Sequence, residues 1–97
     1  MVVDPEIDCE WERIPHFYTP FYVYQYATGF SAAVAISSRI LSGDEAALRG
    51  YKEFLKGGCS MTPIDLLKLC KVDMSTTEPV EEALKVFGGL VDEFAGL

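Results

Sequence analysis

The sequence is poor in basic residues, with 8 Lys and Arg against 15 Asp and Glu and a net charge of −7. Nucleic acid and anionic membrane surfaces both need Lys or Arg to displace counterions, so neither is expected as a partner. There is one histidine, His16. A single histidine cannot supply the two ligands of H-E-x-x-H, and no P-loop or G-x-G-x-x-G occurs. The three cysteines Cys9, Cys59 and Cys70 form an odd set with none of the paired spacings of a disulfide framework or a structural zinc site. No metal site is therefore expected within the chain. Residues 1–6 have neither a basic nor an apolar leader segment, and with free thiols this predicts a reducing, cytoplasmic setting.

Long apolar runs are also missing. From Ile14 to Ser38 the only ionisable groups are His16 and four tyrosine phenols, but two prolines, those four tyrosines, Gln25 and several Ser and Thr interrupt the stretch. A membrane span needs about 20 predominantly apolar residues. A buried helix of a soluble domain is expected instead, with no membrane partner.

Ninety-seven residues, 49% hydrophobic, suffice for one core and one domain. Residues 1–13 alternate acids with Ile7 and Trp11, which predicts an extended acidic arm. Pro15 and Pro20 make residues 14–20 a shaped loop or short turn. A long central helix is expected from Phe21 to about Leu41, with Pro20 in its first turn. Val23, Ala27, Phe30, Val34 and Leu41 follow the helical period as its core face. Ser42 and Glu45 read as a capping box opening a second helix to about Lys56, with Ala46, Leu48, Tyr51, Phe54 and Leu55 inward. Gly57 and Gly58 stop it. Thr62-Pro63-Ile64-Asp65 starts a third helix ending near Lys71, with Cys70 in the core. Thr77-Glu78-Pro79 starts a fourth, with Val80, Leu84, Phe87 and Val91 toward the core, Leu90 and Phe94 beside them, and Glu81-Glu82 as a solvated face. The fold class is all-α, a bundle or array of about four helices.

Six of the eleven residues from His16 to Tyr26 are aromatic, four of them phenols: Tyr18, Tyr22, Tyr24 and Tyr26. Their hydroxyls must bond within a core or face a cleft where a polar ligand takes the bonds. Helical spacing puts Tyr22 and Tyr26 on one face and Tyr24 elsewhere with Thr28 and Ser31. His16 has no nucleophile or orienting group at a recognisable spacing, so no complete catalytic set exists in the chain.

The string Arg13-Ile14-Pro15-His16-Phe17-Tyr18, continued by Pro20-Phe21-Tyr22-Val23-Tyr24-Gln25-Tyr26-Ala27-Thr28-Gly29-Phe30-Ser31-Ala32-Ala33, resembles the C-terminal segment of oligoendopeptidase F, in the thimet-like class of zinc metallopeptidases. Tyr51 to Gly58, Pro63 and Val72-Asp73-Met74 continue the likeness, which covers about Trp11 to Leu97. The resemblance implies an all-helical peptidase acting on short peptides, with zinc held by histidines and a glutamate that this chain lacks. It implies an inactive segment carrying peptide-binding and oxyanion-stabilising groups: His16, Tyr22 and Tyr24, with Tyr18 and Tyr26 as further candidates. The competing expectation is a helical interaction module that self-associates through its aromatic helix, most simply as a homodimer burying part of residues 17–34.

Overall fold

Two capping side chains fix where helices begin in the middle of the chain. Thr62 Oγ1 accepts from Asp65 N (3.2 Å) and donates to Asp65 Oδ2 (2.7 Å), and Pro63 occupies the first position, as the sequence predicts. Asp44, not Ser42, caps the preceding helix: its Oδ1 accepts from the amides of Ala46 (2.9 Å) and Ala47 (3.0 Å). Ser42 instead donates back to the Arg39 carbonyl at 2.8 Å and finishes the helix before it. Both serine and aspartate can cap, and the shorter reach from Asp44 to the first free amides decides the contest.

The computed structural model describes residues 2–97. Two 3₁₀ segments, Pro5–Arg13 and Pro15–Tyr18, precede α1 (Tyr24–Leu41), α2 (Glu45–Gly57), α3 (Pro63–Leu69) and α4 (Glu78–Ala95). The fold is all-α, with no strand among the described residues. The expected extended arm is instead a 3₁₀ helix. Pro5 presets its first turn, Glu6 and Asp8 face its amide end, and Arg13 pairs with Glu10 one turn back. None of its residues is buried, so it remains an arm. Helix α1 starts three residues later than predicted, because Phe21 takes a positive φ of 59° that no α-helix admits.

Helix α1 is central, packing on α4 along one side and on α2 along another, while α3 packs back on α2. The core gathers Ala32, Ala35 and Ile36 of α1 with Cys70 and Val72, walled by Ile40, Tyr51, Phe54, Leu67 and Met74. Cys70 and Val72 are fully buried, as the apolar pattern around Cys70 predicts, and burial pushes the Cys70 thiol pKa up. A buried side chain of valine size contributes about 1.5–3 kcal/mol.

The predicted inward faces of α1 and α4 are wrong. Phe30 and Leu41 are exposed, and so are Val80, Leu84, Phe87, Leu90, Val91 and Phe94; the buried positions are Ser31, Ala32, Ala35 and Ile36 in α1 and Pro79 and Ala83 in α4. Leu55 of α2 also points out, whereas Ala47 is fully buried. Helix α1 is apolar nearly all round, so periodicity fixes no unique face there; α4 carries Glu78, Glu81, Glu82, Lys85, Asp92 and Glu93 along one side, and its apolar side stays uncovered because it docks on α1 through Pro79, Ala83 and Glu82. The small residues win because they let the helix axes approach. Arg39 locks the contact through a two-pronged pair with Glu82 (2.9 and 3.0 Å), a weaker bond to Glu78 (3.3 Å), and a bond to the Ala35 carbonyl (3.0 Å). Glu82 is thus a packing partner and not part of a solvated face.

The chain is open. Its radius of gyration is 17.1 Å, against about 12.5 Å for a compact domain of this length. It exposes 7664 Å², roughly 2000 Å² more than the size scaling of a folded monomer gives. No described helix is long and apolar enough to cross a membrane.

Candidate functional site: an aromatic cluster around His16

The lead-in to α1 steps from His16 to Tyr22 through two consecutive turns that share Thr19. The Thr19 amide donates to the His16 carbonyl and the Tyr22 amide to the Thr19 carbonyl, each at 3.3 Å. Thr19, restrained by the following proline, is extended (φ −98°, ψ 117°). The chain therefore folds back, and the His16 ring lies against Tyr22 with centroids 5.2 Å apart and planes tilted by 36°. Four residues further on, inside α1, Tyr26 meets Tyr22 edge-on at 5.9 Å and 61°. This is a geometry that ring quadrupoles favour.

Three of the five candidates thus form one row: His16, Tyr22, Tyr26. Helical spacing alone puts Tyr22 and Tyr26 together, but the contact with His16 crosses a loop and has no periodic signal. Tyr18 stands apart, its hydroxyl donating to the Glu12 carbonyl at 2.7 Å and so tying the two 3₁₀ segments together. Tyr24, a first choice from the sequence, makes no ring contact with the row and is 60% exposed. The sequence preference for Tyr24 over Tyr26 is therefore not matched by the grouping. Thr28 and Ser31, expected on the Tyr24 side, bond to the α1 backbone at Gln25 (2.9 Å) and Ala27 (2.8 Å).

The row borders a shallow cleft of about 430 Å³ lined by Ile14, His16, Phe17, Val23 and Tyr26. Ile14, Phe17 and Val23 make its apolar wall. A loose hydrogen-bonding approach of the Tyr22 side chain, helped by their mutual repulsion on ionising, raises the Tyr26 phenol above its ordinary value. A phenol is in any case a neutral O–H donor near pH 7. Neutral donors of this kind, beside an apolar wall, can hold a peptide carbonyl or a developing oxyanion. A second groove of about 500 Å³ lies between α1 and α2, lined by Gly29, Ala33, Ile36, Ile40, Tyr51 and Phe54, and carries little polar chemistry.

No site for a metal is assembled. Among the described residues no three His, Cys, Asp or Glu side chains come together, and Cys70 is buried while Cys9 and Cys59 are exposed.

A helical segment with an exposed histidine–tyrosine row is thus the class that fold and site define. The model of peptidase family M3 matches residues 2–86, and the chain belongs to that family. It is 55% identical over all its 97 residues to oligopeptidase PepF of Bacillus subtilis strain 168, covering 14% of that protein. It is 43% identical over 94 residues, 97% of the chain, to the chromosomal oligoendopeptidase F of Lactococcus lactis subsp. cremoris, covering 16% of it. An oligoendopeptidase F homolog of Borreliella burgdorferi is 43% identical over 81 residues, 84% of this chain and 14% of that protein. The chain thus spans about one seventh of the curated relatives it matches. The likeness includes the N-terminal residues before Trp11, which the motif string leaves out. The C-terminal placement expected from that string is not part of this finding. No solved structure matches the chain.

Proposed function

We propose that this chain is the peptide-gripping segment of an oligoendopeptidase F-type enzyme, without catalytic power of its own. The observation that carries the reading is the His16–Tyr22–Tyr26 row with its hydroxyl and imidazole donors exposed beside an apolar cleft, in a chain of peptidase family M3. An extended peptide presents alternating carbonyls and amides. A row of hydroxyl and imidazole donors over an apolar wall matches a carbonyl edge and leaves room for a side chain. In hydrolysis the same donors would stabilise the oxyanion of the tetrahedral species, the point at which added charge makes hydrogen bonds worth most. Tyr24 and Tyr18 take part only if a substrate reaches beyond the row.

The parent family's metal is expected to be zinc, which polarises the scissile carbonyl and activates water when bound. The residues here do not fit such a site, having one histidine and no converging donor set. No step at a metal is assigned to them. The three free thiols suit a reducing cytoplasm.

The test is a graft. Placing these 97 residues in the corresponding stretch of the Bacillus PepF should give an active peptidase. In that enzyme His16→Phe or Tyr22→Phe should lower kcat by about 100-fold, with KM changed much less. Unchanged kcat in both variants would sink the reading. The purified chain with zinc and a short fluorogenic peptide should show no turnover, and brisk zinc-dependent cleavage would contradict its inactivity.

A second reading has its own support. The chain exposes roughly 2000 Å² beyond a compact monomer, more than the about 800 Å² per partner of a standard interface. Leu84, Phe87, Leu90 and Phe94 add an apolar stripe on α4 to the exposed aromatics of residues 17–34. Separated from any longer chain, it would pair with a second copy. Light scattering at low micromolar concentration should give the mass of a dimer, and a clean monomer would rule this out.

A further inference from the structure

The contact between His16 and Tyr22 depends on a residue whose own ring touches neither. Thr19 to Tyr22 is a four-residue turn closed by the Tyr22 amide on the Thr19 carbonyl, with Pro20 second and Phe21 third. Proline second and a positive φ third is the pattern of a type II turn, whose third position ordinarily calls for glycine. Phe21 sits there at φ 59°, a region that bulky side chains rarely enter. Its phenyl group is 87% exposed and so gains little packing of its own to offset the strained backbone. Strain held at an exposed turn next to a cluster of functional groups points to a role for the conformation itself. Among the described residues the only other non-glycine one at positive φ is Lys71, beyond the end of α3, and it borders no such cluster.

We propose that Phe21 is a positioning residue, whose left-handed backbone folds the chain so that the His16 ring is seated against Tyr22. The inference deepens the peptide-gripping reading and rests on it for its purpose, though its geometry is tested separately. With an α or extended backbone at residue 21, the chain would leave Thr19 in another direction. Helix α1, the Tyr22–Tyr26 spacing and the α1–α4 contact would survive, because the core begins at Ala32, about two turns into α1, and Arg39 lies about four turns in. Only the bridge from His16 to the row would open.

The substitutions that test this sort by backbone preference, not by apolarity. Phe21→Gly and Phe21→Asn accept a positive φ, whereas Phe21→Val, β-branched, resists it most. In the full 97-residue chain, nuclear Overhauser cross-peaks between the His16 and Tyr22 rings should persist in the glycine and asparagine variants. They should weaken several-fold in the valine variant. The Tyr22–Tyr26 cross-peaks and the helical circular dichroism should stay unchanged in all three. Equal His16–Tyr22 cross-peaks in all variants would overturn the proposal. So would their loss in the glycine variant, which would place the effect in the phenyl group. If the valine variant does not fold, Phe21→Ala takes its place: it is unbranched but still averse to positive φ, so the same cross-peaks should weaken in it relative to the glycine variant, and equal cross-peaks in the two would overturn the proposal. The graft experiment separates the outcomes: rings that respond as expected in a segment whose His16→Phe graft keeps its kcat leave the turn correct and the peptide reading wrong.

Discussion

Two regions of this chain are built to different standards. Where α2, α3 and the C-terminal half of α1 meet, packing is close: Cys70, Val72, Ala35 and Ala47 expose nothing, and the Gly50 backbone lies against the Leu69 carbonyl. From Pro5 to Tyr26 and along the outer side of α4 it is not, and Phe21, Phe30, Leu84, Phe87 and Phe94 stand in solvent. Both regions are apolar, so hydrophobicity does not separate them. What separates them is whether this chain contains the opposing surface. The closed region is a self-supporting scaffold; the open one presents its groups to something else, whether a peptide, a longer chain or a second copy.

The sharpest way to break that contrast is with glycines. A Cβ at Gly50 would fall within the Leu69 carbonyl group, backbone that cannot turn aside, whereas one at Gly88 or Gly29 would meet nothing within 4 Å. Gly50→Ala should therefore destabilise by about 3 kcal/mol in urea unfolding through overpacking. Gly88→Ala should instead stabilise α4 by about 0.5–1 kcal/mol through helix propensity. Equal effects at the two sites would erase the distinction between closed and open regions.

Gly50 also marks the limit of what the sequence discloses. The all-α class, the second helix ending at Gly57-Gly58, the Thr62 cap with Pro63 and the burial of Cys70 follow from local chemistry, and all are found. Helix rotation does not follow. In α1 apolar residues occupy nearly every side, and in α4 the apolar side that the pattern marks is left open while Pro79 and Ala83 dock, so burial is chosen by which small side chains allow close approach, a property of the pair and not of either segment. The Asp44 cap and the 3₁₀ form of Pro5–Arg13 are contests between near-equal local options. For the candidate site, the spacing of Tyr22 and Tyr26 was readable and the family string pointed at His16. The grouping of Tyr26 in preference to Tyr24 depends on a loop closed at Phe21, where a non-glycine residue adopts a backbone that sequence preference argues against.

Next in size is the tie between the regions. Arg39 holds α4 on α1 through the forked pair with Glu82, and its side chain is only 18% exposed. Arg39→Met keeps the apolar stem and removes the fork. It should lower stability by about 1.5 kcal/mol, the range of charge-assisted hydrogen bonds. If α4 is the less supported element, amide hydrogen exchange should quicken in Val80–Val91 while Ala47–Phe54 of α2 hardly changes. A uniform acceleration would show instead that α4 belongs to the closed scaffold.

The smallest expected effect lies at the α2–α3 junction and depends on pH. Lys71 donates to Asp44 Oδ2 at 2.7 Å while the Ala46 and Ala47 amides hold Oδ1. The Lys71 bond first, then the Ala47 amide, keep the Asp44 carboxyl below the ordinary 3.8. Ser75, through its hydroxyl and then its amide, does the same for Asp73, with Lys68 assisting. A carboxyl depressed in the folded state binds fewer protons there than in the unfolded chain. Its contribution is thus fully present above about pH 4 and is lost as pH falls through the lowered folded value. Thermal midpoints should accordingly be flat from neutrality to about pH 4.5 and drop below it. Asp44→Asn keeps a capping oxygen but gives up the Lys71 charge. Its midpoint should start slightly lower at pH 7 and approach the parent's as the pH falls through the lowered Asp44 value, and curves that stay parallel throughout would show that the closed junction owes nothing to this pair.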